Sequence, residues 1–230
     1  MRLFAALLAL LGALIATTAF AQQNSATPST TPLPVPTPTP DNIWVLELST
    51  GGRVLVQLRP DKAPNHVERI KTLTRASFYN GLTFHRVIDG FMAQGGDPKG
   101  TGEGGSDLPD LKAEFNDLPH VRGVTSMARA EGNDTANSQF FLMLMPTLRL
   151  DNRYTAFGRV LEGMQFVDAL EKGEPPVNPG RIVRAYIQAD GPNAAPVPLQ
   201  VPAPAATPAP TASPDPAATP SPTPTPQAGN

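Results

Sequence analysis

The sequence predicts a mainly-β domain, a closed antiparallel barrel capped by two α-helices, set between proline-rich tails expected to be disordered. Three observations carry this. Short β-rich runs recur between residues 43 and 188, two stretches among them have helical spacing, and proline is concentrated at the ends. Of the 28 prolines, six lie in residues 22–40 and thirteen in residues 192–230. Residues 22–40 carry no charge and residues 192–230 only Asp215, so neither end can bury a core. The division is a signal segment at 1–21, a Pro/Thr-rich linker at 22–40, a folded domain at 41–190 and a Pro/Ala/Thr-rich tail at 191–230.

The first 21 residues begin with Met1 and Arg2, continue almost purely apolar to Ala16, and end on Ala19-Phe20-Ala21, the small-x-small pattern of signal cleavage. Export is therefore expected, to a periplasm or to the medium, with no membrane span left after cleavage. The alternative is an uncleaved anchor, since residues 3–21 approach the length of a span. The chain has no cysteine, which removes disulfides, thiol catalysis and zinc-thiolate sites together. Its net charge of −2 lacks the basic footprint of a nucleic-acid binder.

Within the domain, residues 43–48 and 53–58 flank Gly51-Gly52 and read as a hairpin. Pro64 opens a helix in which Val67, Ile70, Leu73 and Thr74 share a face, ending near Ala76. Asn80-Gly81 then turns the chain into a strand over 82–88. Residues 90–105 are glycine-rich and 106–122 irregular, a long excursion with no expected strand. Strands follow at 123–129, 139–144 and 155–160, a helix at 164–170 and a last strand at 181–188. Alternation sends Phe140 and Phe141 to opposite faces, only one of them toward the core.

Residues 100–105 match G-x-G-x-x-G, but no strand precedes them and no helix starts on them, so the spacing does not make a dinucleotide site. His66, His85 and His120 fall in no metal-binding spacing, and no serine sits in G-x-S-x-G; structural roles are expected for the histidines. The run over 84–97 is different. It places Arg86 at a strand-to-loop transition beside Phe91 and Met92, two apolar side chains in a glycine-flanked loop that imply a concave apolar surface.

At these residues the chain resembles the cyclophilins. Their block FHRVI-x-GFM-x-QGGD is met without a gap by FHRVIDGFMAQGGD over 84–97. A second block is met by Ser126-Met127-Ala128-Arg129 and Asn137-Ser138-Gln139-Phe140-Phe141, and a third by Leu150-Asp151 with Phe157-Gly158-Arg159-Val160. The resemblance implies an eight-stranded barrel and peptidyl-prolyl cis/trans isomerase activity with no metal and no organic cofactor. It implies Arg86 as the catalytic guanidinium, and Phe91, Met92, Phe141 and Leu150 as the pocket for the proline ring. Gln94 and Gln139 would position the peptide backbone, Ala128 and Arg129 would hydrogen-bond it along a strand edge, and His85 and Tyr154 would flank the surface. The expected partners are proline-containing peptides and unfolded exported proteins, met by a monomer. One departure is Arg149, where relatives often carry an aromatic residue, which puts the rim of the pocket and its response to cyclosporin-like inhibitors in question.

These residue types suit the chemistry. Rotation of an X–Pro bond loses amide resonance, a barrier of roughly 18–20 kcal/mol, but breaks no bond and so needs no nucleophile. A second reading keeps the proline-binding surface and makes it an adaptor or chaperone. A third makes the Pro-rich tails extended spacers or ligands for another domain.

Overall fold

The computed structural model describes residues 36–201; the expected signal segment, most of the linker and the tail from residue 202 lie outside them. Eight strands and two helices form the domain. In chain order they are β1 (Ile43–Leu48), β2 (Gly52–Leu58), α1 (Pro64–Arg75), β3 (Arg86–Ile88), β4 (Met92–Gly95), β5 (Val124–Met127), β6 (Phe140–Met143), β7 (Ala156–Glu162), α2 (Met164–Asp168) and β8 (Ile182–Ile187). All pairings are antiparallel, in the spatial order β3-β4-β6-β5-β7-β2-β1-β8.

The sheet is a curled half-barrel. Among the described residues no strand ladder joins its two edges, β3 and β8, in place of the closed barrel expected from the sequence. Short of a ladder, the isolated bridge Thr83↔Arg181 pairs the residues just before β3 and β8, and Val87↔Gly173 docks the α2–β8 connector on β3. The expected strand over 82–88 is therefore regular only over Arg86–Ile88, because the residues before it turn toward the start of β8. One strand lies in the stretch read as loop. β4 is four residues of Met-Ala-Gln-Gly, too short and too glycine-flanked to show a period, and it forms because β3 and β6 hold it on both sides.

The core lies inside the curl. Trp44 is fully buried at its centre, with the rings of Phe140 at 4.9 Å and Tyr79 at 5.3 Å. α1 covers one opening with Val67, Ile70 and Leu73, the face that its spacing predicts. Beyond residue 190, Val197 N–H still donates to Arg75 O (2.9 Å) and Leu199 packs on the core, so the first part of the proline-rich segment lies against the C-terminal end of α1 and the core.

No side chain at Ala63 caps α1. Glu114, from the irregular excursion, does so from a distance: its carboxylate accepts from the N–H groups of Asn65 (3.1 Å) and His66 (3.0 Å) and meets His66 Nδ1 at 2.6 Å. Burial pushes the His66 imidazole down despite Glu114. Burial works to raise the Glu114 carboxyl, but its bonds to His66 and Asn65 hold it below the ordinary glutamate value. Both shifts have one consequence for stability. Below about pH 6.5 the unfolded chain takes up a proton on His66 that the folded chain resists, and stability falls as pH falls. The Glu114 contribution is present above its unfolded pKa and is lost as pH drops through the depressed folded value. From these two groups the melting temperature is expected to be level between about pH 7 and 9, to fall on acidification below about pH 6.5 and to fall further through the carboxylate range. A melting temperature that holds or rises between pH 7.5 and 5 contradicts this.

Candidate active site

Alternation along the strands builds a second apolar surface on the outer face of the sheet. Phe140 points into the core, whereas Phe141 joins Met92, Val124, Met143 and Ala156 in a separate cluster, with Phe91, Ala128, Leu150 and Tyr154 at its margin. The expectation that only one of the two phenylalanines faces the core is met. The β3–β4 register places Arg86 opposite Gln94, and β4–β6 places Gln94 opposite Phe141, so charge, amide and ring lie side by side across three strands.

A cleft of about 660 Å³ opens on this surface. Of the residues singled out from the sequence, Arg86, Phe91, Met92, Gln94, Ala128, Arg129, Phe141, Leu150, Tyr154 and His85 border it. Gln139 does not. It lines an adjoining cleft of about 600 Å³ and acts as a strut: Gln94 Nε2 donates to its Oε1 (2.9 Å), while its own Nε2 donates to Gly102 O (2.9 Å) and Gly104 O (2.8 Å). Ala128 and Arg129 lie just past the end of β5, and Ala128 N–H donates to Gln139 O (2.9 Å).

Aromatic contacts fix the floor. Phe141 meets Tyr154 edge-on at 5.6 Å and stacks near His120 at 6.2 Å. His120 is held in turn by Asp151 Oδ1 (2.8 Å, through Nδ1) and Ser126 Oγ (3.1 Å, through Nε2). This Ser-His-Asp arrangement has no G-x-S-x-G spacing because its members are brought together by the fold. Ser126 is fully buried and borders neither of these clefts, so the arrangement anchors the ring platform and offers no exposed nucleophile. Two arginines cover the rim. The Arg129 guanidinium lies 4.8 Å from the centre of the Tyr154 ring, and that of Arg149 lies 5.7 Å from the centre of Phe91. His85 is buried in the wall; burial pushes its pKa down, with Asp97 opposing and Arg86 reinforcing.

The glycine-rich segment forms one wall through Gly100, Thr101 and Gly102. Its backbone donors turn inward to Asp97, whose carboxylate accepts from the N–H groups of Lys99 (2.8 Å), Thr101 (2.9 Å) and Gly102 (2.6 Å). A side chain at Gly104 would place its Cβ 1.9 Å from Asp97 Oδ1, so glycine is required there. Burial works to raise the Asp97 carboxyl, but these backbone donors hold it below the ordinary aspartate value. The G-x-G-x-x-G match thus turns backbone donors onto an internal carboxylate.

Glu174 and Pro175, in the connection between α2 and β8, also border the cleft, and Arg86 Nε donates to Glu174 Oε2 (2.6 Å). No local sequence pattern marks either of them. In the sequence they belong to a proline-rich connector, and only the non-local Val87↔Gly173 bridge brings them to β3.

Comparison with known proteins agrees with this geometry. The family model for cyclophilin type peptidyl-prolyl cis-trans isomerase/CLD matches residues 45–187, more than half of the chain. A probable peptidyl-prolyl cis-trans isomerase of Brucella suis is 46% identical over 166 residues, spanning 65% of this chain and 84% of the relative. Peptidyl-prolyl cis-trans isomerase B of Bacillus subtilis is 42% identical over 129 residues, covering 55% of this chain and 89% of its own. Among solved structures, a cyclophilin from Hirschia baltica superposes with a TM-score of 0.62 at 32% identity, covering 66% of this chain and 76% of that one. A cyclophilin-type isomerase of Cryptosporidium parvum, determined in the presence of the dipeptide Ala-Pro, gives 0.59 at 27% identity, covering 63% and 98%. With its folded region matched from β1 to β8 and an apolar cleft bordered by a half-exposed arginine, the chain belongs to the cyclophilin-type peptidyl-prolyl cis-trans isomerases.

Proposed function

We propose that the protein speeds the folding of exported proteins by rotating X–Pro bonds in this cleft, and that Arg86 is the group that lowers the barrier. The observation that carries the reading is the juxtaposition of the Arg86 guanidinium with the ring-lined floor of Phe91, Met92, Phe141 and Leu150 in one cleft. The proline ring is seated on that floor, and Gln94 and the segment just past β5 at Ala128 and Arg129 hold the flanking peptide. As the bond twists, the proline nitrogen becomes pyramidal and gains a lone pair. A guanidinium donor fixed beside it interacts more strongly with the twisted amide than with the planar one, and only that difference accelerates the reaction. Apolar walls exclude water around the contact and strengthen it.

The Ala-Pro dipeptide present with the Cryptosporidium relative supports proline-containing peptides as substrates. The apolar start and Ala19-Phe20-Ala21 support export; a periplasm as the compartment and a monomer as the working form belong to the proposal. Among the described residues no helix is long and apolar enough to cross a membrane. Refolding of an exported client with a proline-limited slow phase tests the role: the full chain is expected to shorten that phase catalytically, and Arg86→Ala to lose the effect. Equal help from both proteins contradicts catalysis and favours a holdase.

A further inference from the structure

We propose that Glu174 is a positioning residue for Arg86, holding the guanidinium by its Nε so that both Nη groups stay directed to the substrate. The proposal rests on the reading of Arg86 as the barrier-lowering group and adds how that group is kept in place.

Backbone geometry puts Glu174 there. Val87 and Gly173 exchange two hydrogen bonds, each 2.8 Å, and an antiparallel bridge between residues 87 and 173 sets residue 86 opposite residue 174. Gly173 has a φ of +157°, and a Cβ there would lie 2.5 Å from Pro176 Cα, so the bridge needs glycine at this position. The connector is thus docked on the outer edge of β3 by its backbone, and the carboxylate follows. Glu174 Oε2 then accepts from Arg86 Nε at 2.6 Å.

Three features separate positioning from mere stability. The two side chains are 51% and 40% exposed, a setting in which an ion pair adds little to folding. Among the described residues Glu174 is the one carboxylate bordering the cleft, so the pair is local to the site. An arginine has five N–H donors, and of the hydrogen bonds among the described residues that involve Arg86, the one formed by a side-chain donor uses Nε, which leaves the four Nη hydrogens for substrate. Without Glu174 the long side chain is free to sample other rotamers over the open side of the cleft, and part of the bound time is spent with the donor misplaced. Ground-state binding depends on the apolar floor and on Gln94, Ala128 and Arg129, none of which Glu174 holds, and is untouched.

The test compares the full-length protein with E174Q, E174A, R86A and the R86A/E174A pair on one Ala-Pro peptide, after melting curves show that all are folded. E174A is expected to lower kcat about 10-fold with KM within about 2-fold, short of the ~100-fold that a fixed 1 Å misplacement can cause. E174Q, whose amide oxygen still accepts from Nε, is expected to fall between E174A and wild type. In the R86A background E174A is expected to change nothing further, because the carboxylate acts through that guanidinium. Wild-type or higher kcat in E174A overturns the proposal, as does an equal fall in the R86A background. Wild-type activity of R86A itself overturns the Arg86 reading, and the role of Glu174 with it.

Discussion

Arg86→Ala is expected to lower kcat/KM for a short Ala-Pro peptide by about 100-fold or more, the scale set by removing one preorganised donor from a reaction centre. Folding is expected to be nearly unaffected. The Arg86 side chain is 40% exposed and pairs with a carboxylate that is itself half in water, so no buried partner is stranded. Arg86→Lys is expected to recover only a small part of the loss, because a single ammonium cannot donate to Glu174 and to the peptide through the same rigid fork. Steady-state isomerisation checks the rate and thermal melting checks the fold. A variant that isomerises like wild type contradicts the assignment.

The neighbours Phe140 and Phe141 are expected to fail in different ways when changed. Phe140 is fully buried among Trp44, Tyr79 and Phe84, with ring centres 4.9–6.2 Å away. Phe140→Ala removes a ring from the centre of the core, and a loss of about 3–5 kcal/mol in unfolding free energy is expected. Phe141 belongs to the cleft floor. Phe141→Leu keeps an apolar side chain there, so a smaller loss of stability is expected, but the flat ring against which proline would rest is gone and KM should rise several-fold. Denaturant titration of both variants, with kinetics on the folded protein, separates the two effects. Similar stability losses with unchanged KM in both would mean that the two faces of β6 do not divide labour in this way.

Much of this arrangement is legible in the sequence because it is local. The hairpin of β1 and β2, helix α1 and the opposite faces of Phe140 and Phe141 follow from alternation, spacing and turn residues within a few positions. What escaped is what depends on distant pairing. β4 has no period of its own and exists because two strands flank it. Glu174 reaches Arg86 only through the bridge at Val87, and Glu114 caps α1 from a loop 49 residues beyond Asn65. Gln139, to which the family resemblance gives a peptide-positioning role, also braces Gln94 against the glycine-rich wall, a contact between distant segments. Proline content marks the last segment as a tail from residue 191, yet it cannot register a single Leu199 that finds the core.

The central claim is that Arg86 binds the twisted amide better than the planar one. NMR exchange on one Ala-Pro peptide, titrated with wild type and with Arg86→Ala, measures both terms at once: the dissociation constant from shifts, and the cis/trans rate of the bound peptide from exchange. The account predicts a dissociation constant within a few-fold of wild type and a bound-state rotation rate about 100-fold slower. A variant that binds much more weakly but rotates the bound peptide at the wild-type rate would show that Arg86 only holds the substrate, and would contradict the account.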